Sequence, residues 1–254
     1  MTSGNSRAGR VTGLNATALK TIAIIAMAVD HIAWMYFPLD TGTGFVSHII
    51  GRVTIPIMCF FIAEGFDKTR DIKKYAIRLF VSALVSHLPF YYYEHGTLPR
   101  TIQQVLASFS YTSVMWPLFL GLAALIVLKK SGWDAAVKAL VIVGICLLAT
   151  VGDWSVFAVM WILIFSYNKD NPKRQMFLFA ASTLLVILSE PAHYLLNGLP
   201  VKPWLFFQAG LLLAVPLLLC YNHQRGGNRL TKWFFYLFYP LHLIIIAAAA
   251  YGLI

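Results

Sequence analysis

Residues 18–37 read ALKTIAIIAMAVDHIAWMYF and stop at Pro38. A helix needs about 20 mostly apolar residues to cross a bilayer. This run has that length and carries Asp30-His31 inside it. Working outward, eight comparable runs follow at 48–66, 74–93, 105–128, 135–150, 153–167, 174–196, 202–220 and 232–251. The predicted fold is an all-α, polytopic transmembrane helix bundle of about nine spans. Only a tight turn at Gly152-Asp153 separates the fifth run from the sixth.

Composition points the same way. The chain has 254 residues, 59% hydrophobic and only 12% charged, with a mean hydropathy of +0.72. A soluble domain carries about 25% charged residues, so this sequence cannot coat a water-facing surface, and the same richness in apolar residues excludes disorder. Residues 1–17 are polar and lack a small-residue cleavage site, so they read as a cytosolic tail and not as a signal peptide. Residues 18–254 form one transmembrane domain. Cys59, Cys146 and Cys220 each lie in an apolar run without a CxxC motif, which implies neither a disulfide framework nor a zinc knuckle.

The net charge is +10. On a soluble protein that would suggest nucleic acid, but here the cations sit between apolar runs. Arg7, Arg10 and Lys20 open the first span; Lys68, Arg70, Lys73, Lys74 and Arg78 follow the second; Lys129, Lys130 and Lys138 follow the fourth; Lys169, Lys173 and Arg174 follow the sixth; Arg225, Arg229 and Lys232 follow the eighth. The alternate loops hold only Arg100 and Lys202, and Arg52 lies within a span. Basic loops mark the cytosolic side. The alternation therefore puts the N-terminus in the cytosol and the C-terminus outside, with the lipid bilayer and not nucleic acid as partner.

Ionisable residues at bilayer depth are costly and are functional candidates by default. Asp30, His31, Arg52, His87, Asp153, Glu190 and His193 fall in the outer half of this topology, His242 lies mid-span, and Glu64 is near the cytosolic face. Asp30 and His31 are neighbours about 100° apart on a helix, so each faces a different partner. Arg52 is the expected partner of Asp30, because a lone buried charge is expensive. That leaves His31 for acid–base work. The alternative is an Asp30–Arg52 structural clamp with His31 bonded to a carbonyl. Lys20 precedes His31 by eleven positions, which is about three helical turns and roughly 16 Å on nearly the same face. It suits an anionic head at the cytosolic mouth, or else simply snorkels.

Glu64 is expected either to pair with Arg70 or Lys74 or to shape a ligand mouth. Pro240 frees a backbone carbonyl. His242 either bonds that carbonyl or faces the centre of the bundle. Glu190 and His193 have E-x-x-H spacing, but one copy without partner carboxylates is weak support for a metal, and none is expected. His48, His95 and His223 sit near loops and need no role. The absence of G-x-S-x-G, HExxH and a Gly-rich phosphate loop leaves soluble-type hydrolases and NTPases unsupported.

Leu19-Lys20, Asp30-His31-Ile32, Ile50-Gly51-Arg52, Ile55-Pro56, Glu64-Gly65-Phe66, the basic stretch from Thr69 to Leu79 and Tyr239-Pro240-Leu241-His242 together resemble the TraX family of integral membrane proteins, from about Leu14 to His242. The resemblance implies an acyltransferase of the bacterial inner membrane. The family's founding member acetylates the N-terminal amine of conjugative pilin, and related membrane enzymes draw acetyl-CoA from the cytosol. One branch of those carries a basic residue, ten intervening residues and a catalytic histidine, a spacing that Lys20 and His31 share, with Lys in place of Arg. The resemblance thus implies an acetyl-CoA site with the phosphates at Lys20, Lys68, Arg70, Lys73 and Lys74 and with Glu64 shaping its mouth. It implies a reaction centre at His31, Asp30, Arg52 and His242, with Arg52 either holding Asp30, the favoured role, or stabilising an oxyanion. The expected acceptor is the N-terminal amine of a pilin or other exported peptide. The rivals are O-acetylation of an envelope glycan, a proton-coupled transporter and a non-catalytic assembly factor.

Overall fold

The computed structural model describes residues 13–252; of the expected polar tail 1–17, residues 1–12 lie outside the described residues. The chain runs through α1 (Ala16–Tyr36), α2 (Gly42–Gly51), α3 (Thr54–Lys68), α4 (Ile72–His95), α5 (Ile102–Ser108), α6 (Met115–Lys130), α7 (Ala135–Ala149), α8 (Ser155–Tyr167), α9 (Pro172–Leu196), a 3-10 helix (Pro203–Leu213), α10 (Ala214–Leu219) and α11 (Arg229–Tyr251). Among the described residues the isolated β-bridges Leu14–Tyr221 and Thr112–Gly152 stand outside any strand.

Polar side chains start these helices, accepting from the N–H groups that a first turn leaves unpaired. Asn15 caps α1, Thr41 caps α2, Asp71 caps α4, Asp134 caps α7 and Asn171 caps α9. Thr101 and Gln104 form a reciprocal capping box on α5. At the other end of α4, Gly96 takes the left-handed conformation with φ 69°.

The expected all-helical membrane architecture is present. α1, the Gly42–Lys68 stretch, α9 and Trp233–Tyr251 within α11 are each long and apolar enough to cross a membrane; α7, α8 and Pro203–Leu219 are shorter apolar helices. Three expected spans are interrupted. The run 48–66 breaks between α2 and α3, because Pro56 has no N–H for the carbonyl of Arg52. The run 105–128 breaks between α5 and α6, where Thr112 pairs with the α7–α8 turn through its N–H to Val151 O at 2.6 Å and its carbonyl to Asp153 N at 2.8 Å. The run 202–220 begins as the 3-10 helix and becomes α-helical only at Ala214.

α1 packs on α2, α3 and α11; α3 lies against α6 and α8; α4 lies against α6 and α11; the 3-10 helix sits between α2 and α9. Trp161, Phe165 and Phe179 are fully buried where α8 meets α9. The start of α1 is stitched to the segment before α11 by Leu14 N to Cys220 O, 2.8 Å, and Ala16 N to Gln224 O, 2.8 Å. At the far end of α4, the Tyr92 hydroxyl donates to Gly252 O. The described termini therefore lie at opposite ends of the bundle.

Two close approaches fix α2 in place. A Cβ on Gly51 would overlap the Asp30 side chain on α1, and one on Gly210 would overlap the Ile49 carbonyl oxygen. Because the obstacle at Gly210 is backbone, Gly210→Ala should lower stability by about 1–3 kcal/mol. A thermal melt of purified detergent-solubilised protein measures this, and an unchanged Tm would refute the close packing of α2 against the 3-10 helix.

Candidate functional site

The site is assembled around Asp30, which is only 8% exposed. A buried carboxylate needs partners for both oxygens. Oδ1 accepts from His48 Nδ1 at 2.8 Å, and Oδ2 accepts from the Arg52 Nη2 group. His48 and Arg52 are four residues apart at the end of α2, so they share a face and close on Asp30 together. The guanidinium lies over two rings, with Cζ 5.1 Å from the Trp154 centroid and 5.3 Å from that of Phe207. Trp154 and Ser155 have φ of 68° and 46°. This left-handed turn is uncommon for such residues, and it carries the Trp154 ring onto Arg52.

His31, the next residue, faces elsewhere. Its Nδ1 is 2.9 Å from Met27 O and 3.2 Å from His242 Nε2. His242 Nδ1 is in turn 2.9 Å from Phe238 O. A carbonyl only accepts, so His242 carries its proton on Nδ1 and offers a lone pair at Nε2. By the same logic His31 carries its proton on Nδ1, leaving Nε2 as the basic nitrogen. The Tyr93 hydroxyl donates to the His31 carbonyl at 2.7 Å, with its ring edge-on to the imidazole.

A cavity of about 480 Å³ connects these groups. Lys20, Ile24, Met27, Asp30, His31 and Trp34 of α1 line it, as do Arg52, Tyr93, Glu94, Asp153 and Gln208. Along α4 its wall extends from Tyr75 to Glu94, roughly 28 Å at 1.5 Å per residue. A second cavity of about 370 Å³ is lined by Lys20, Lys68, Arg78, Arg225, Glu64 and Thr231 among others. The two share Lys20, Phe61, Tyr75, Phe235 and Tyr236 as wall residues. Lys20 Nζ stands 4.6 Å from the Phe61 centroid at this waist. A cationic mouth thus opens beside the chamber that contains His31.

Several expectations are corrected. Glu64 pairs with neither Arg70 nor Lys74: Lys68 Nζ donates to it at 2.8 Å and the Tyr221 hydroxyl at 3.0 Å, because the i,i+4 neighbour on α3 is closest. Arg70, Lys73 and Lys74 are exposed and line neither cavity. Lys74 is held at 3.2 Å by Asp71, whose carboxyl the Lys74 backbone N–H and ammonium keep below the usual carboxylate range. The mouth draws instead on Arg78, one turn along the same helix, and on Arg225 from the loop before α11. His242 bonds Phe238 O and not the carbonyl of Tyr236 that Pro240 frees. It sits behind His31 and outside the cavity wall. His48, given no role, is fully buried on Asp30; its spacing of four from Arg52 was the available signal. Glu190 and His193 are exposed near the end of α9, away from both cavities.

This geometry coincides with a family match. A model of the TraX protein family matches residues 15–249. The chain belongs to the TraX family. The probable fimbrial assembly protein FimC, serogroup H1, of Dichelobacter nodosus is 30% identical over 239 residues, covering 92% of this chain and 95% of that protein. An uncharacterized protein of Rickettsia prowazekii is 28% identical over 144 residues, covering 53% of this chain and 54% of its own length. No solved structure matches. In this TraX-family chain the motif residues Lys20, His31 and Arg52 all line one cavity.

The Asp30 cluster makes a direct prediction. His48→Leu leaves Oδ1 without a donor and should cost about 1–3 kcal/mol. His48→Asn, whose amide nitrogen reaches the position of Nδ1, should recover most of it. Paired thermal melts decide this, and equal melting of His48→Leu and wild type would remove His48 from the cluster.

Proposed function

We propose that this protein is an acetyltransferase of the bacterial inner membrane. It moves an acetyl group from cytosolic acetyl-CoA to the N-terminal amine of a pilin or other exported peptide. The observation that carries this reading is the pair of adjoining cavities, with a cationic mouth at one end and His31 in the wall of the chamber beyond it. Nine spans, with the N-terminus in the cytosol and the C-terminus outside, fit the opposite placement of the described ends and put the cationic mouth on the cytosolic side.

In this reading the nucleotide phosphates sit against Lys20, Lys68, Arg78 and Arg225. The pantetheine arm passes the waist between Phe61, Tyr75, Phe235 and Tyr236 and brings the thioester carbonyl to His31. The acceptor amine enters from the Glu94 end. As its nitrogen attacks the carbonyl carbon, His31 Nε2 takes the amine proton. The tetrahedral adduct collapses, the C–S bond breaks, and the departing thiolate takes the proton from His31. His242 assists by accepting from Nδ1, which keeps the basic nitrogen turned to the cavity and supports the imidazolium as it forms. No metal is called for in this scheme.

Mass spectrometry of an exported pilin or peptide, and of envelope glycan, from cells with and without the protein is the deciding experiment. Acetyl should appear on a peptide amine and vanish with His31→Ala at undiminished expression. Acetyl on glycan hydroxyls would move the acceptor to a sugar, and transfer undiminished by His31→Ala would remove His31 from the chemistry.

At the donor end, Lys20→Glu reverses a charge at the waist and should raise KM for acetyl-CoA by at least about tenfold, the equivalent of one lost charge-assisted contact. An unchanged KM would remove Lys20 from phosphate binding.

A further inference from the structure

Away from the cationic mouth, the chamber carries acid without a matching cation. Asp30, Glu94 and Asp153 line it together with Lys20 and Arg52. Lys20 stands about three turns of α1 away from His31, and Arg52 is ion-paired with Asp30. Among the described residues neither Glu94 nor Asp153 forms an ion pair. The Asp153 carboxylate accepts from the Trp154 backbone N–H, and the Arg52 charge acts on it only from beyond ion-pair distance. The guanidinium, already balanced by Asp30, therefore does not discharge it.

Several contacts hold the two free carboxylates at one end. Glu94 follows Tyr93, whose hydroxyl donates to the His31 carbonyl at 2.7 Å. Asp153 N donates to Thr112 O at 2.8 Å. Tyr111, next to Thr112, lines the chamber as well and packs on Phe90, one turn before Glu94, with 5.3 Å between ring centroids. It feels the charge of both carboxylates. Gln208 adds an independent observation. It lines the same chamber, and its Oε1 is buried with no donor. Two carboxylates and an amide oxygen thus stand in this wall without a matching donor group. Uncompensated charge at bilayer depth is costly. A ligand that brings positive charge and N–H donors meets both demands.

We propose that Glu94 and Asp153 form the acceptor's binding subsite, which takes a primary amine in its ammonium form. The inference rests on the acetyl-transfer reading given above and names the residues that make it choose an amine over a hydroxyl. A free α-amine has a pKa of about 7.7–8.0, so it is mostly charged at pH 7. Its ammonium offers three donors, whereas a hydroxyl is neutral and offers one. Hydrogen bonds between charged partners are roughly twice as strong as neutral ones. Attack needs a lone pair, so the ammonium first gives one proton to the carboxylate that holds it. The neutral nitrogen then bonds to the thioester carbonyl carbon, and its second proton goes to His31. Glu94, which is exposed, returns the first proton to solution. Arg52 sets the inner limit of the subsite, since its charge repels an ammonium but not a neutral amine.

The test uses the purified full chain with saturating CoA at pH 7 and two probes. One is alanyl-alanyl-alanine amide; the other is the same amide with a hydroxyl in place of its N-terminal amine. By isothermal titration, wild type should bind the amine probe at least about tenfold more tightly, the size of one charge-assisted hydrogen bond. The double variant Glu94→Gln, Asp153→Asn keeps both side-chain sizes and should lose that preference at unchanged CoA affinity. With acetyl-CoA its kcat/KM for the tripeptide should fall at least about tenfold. A preference retained in the double variant, or a wild type that binds CoA but not the amine probe preferentially, overturns this proposal and leaves the donor reading standing. A wild type that binds no CoA brings down the donor reading, and this inference with it. Should the double variant fail to fold, Glu94→Gln alone, at an exposed position, must diminish the preference, and an unaltered preference overturns the proposal equally.

Discussion

A carboxylate buried among apolar helices must be neutralised and fully hydrogen-bonded, and much of this bundle's interior follows from meeting that requirement at Asp30. The cost of an unpaired charge at bilayer depth is several kcal/mol. Asp30 therefore draws His48 and Arg52 from the end of α2 and pins that helix to α1. Gly51 lets the two backbones come close enough for the contact. Pro56 then releases the chain to turn into α3, whose inner face walls the chamber. Three residue types that look unrelated in sequence, an acid, a glycine and a proline, serve one geometric purpose.

The same cluster sets the orientation of its neighbours. Successive residues on a helix diverge by about 100°, so fixing Asp30 toward α2 leaves His31 facing α11. There His242 and Met27 O fix its protonation pattern. Arg52, fixed by Asp30, is in turn contacted by the rings of Trp154 and Phe207 from two further elements. One α-helical step thus separates the rigid anchor from the basic nitrogen. A displacement of either would be felt by the other.

How far the sequence revealed this depended on range. Lys20 and His31 share a cavity because eleven residues return to the same side of one helix, a fact of periodicity alone. The Asp30–Arg52 pair was legible because desolvation demands a partner and α1 and α2 are consecutive. His48 was not, because a histidine near the start of an apolar run looks like loop until α2 is known to fold back along α1. Arg78 and Arg225 reach the mouth only through the docking of α4 and of the loop before α11 against α1. Arg70, Lys73 and Lys74 looked equally basic but face away. The breaks near Thr112 and at the 3-10 helix come from contacts between distant segments, which hydropathy does not record.

The waist has a consequence of its own. The proposed transfer runs between two compartments, and any passage that serves it must not let protons through. Lys20 stands on the wall the two cavities share, its ammonium against Phe61 and Phe235. A fixed positive charge in an oily collar repels hydronium and sodium ions yet welcomes a polyanion. Under the proposed reaction the residue that meets the donor's phosphates would therefore also insulate the bundle against leakage when no donor is present.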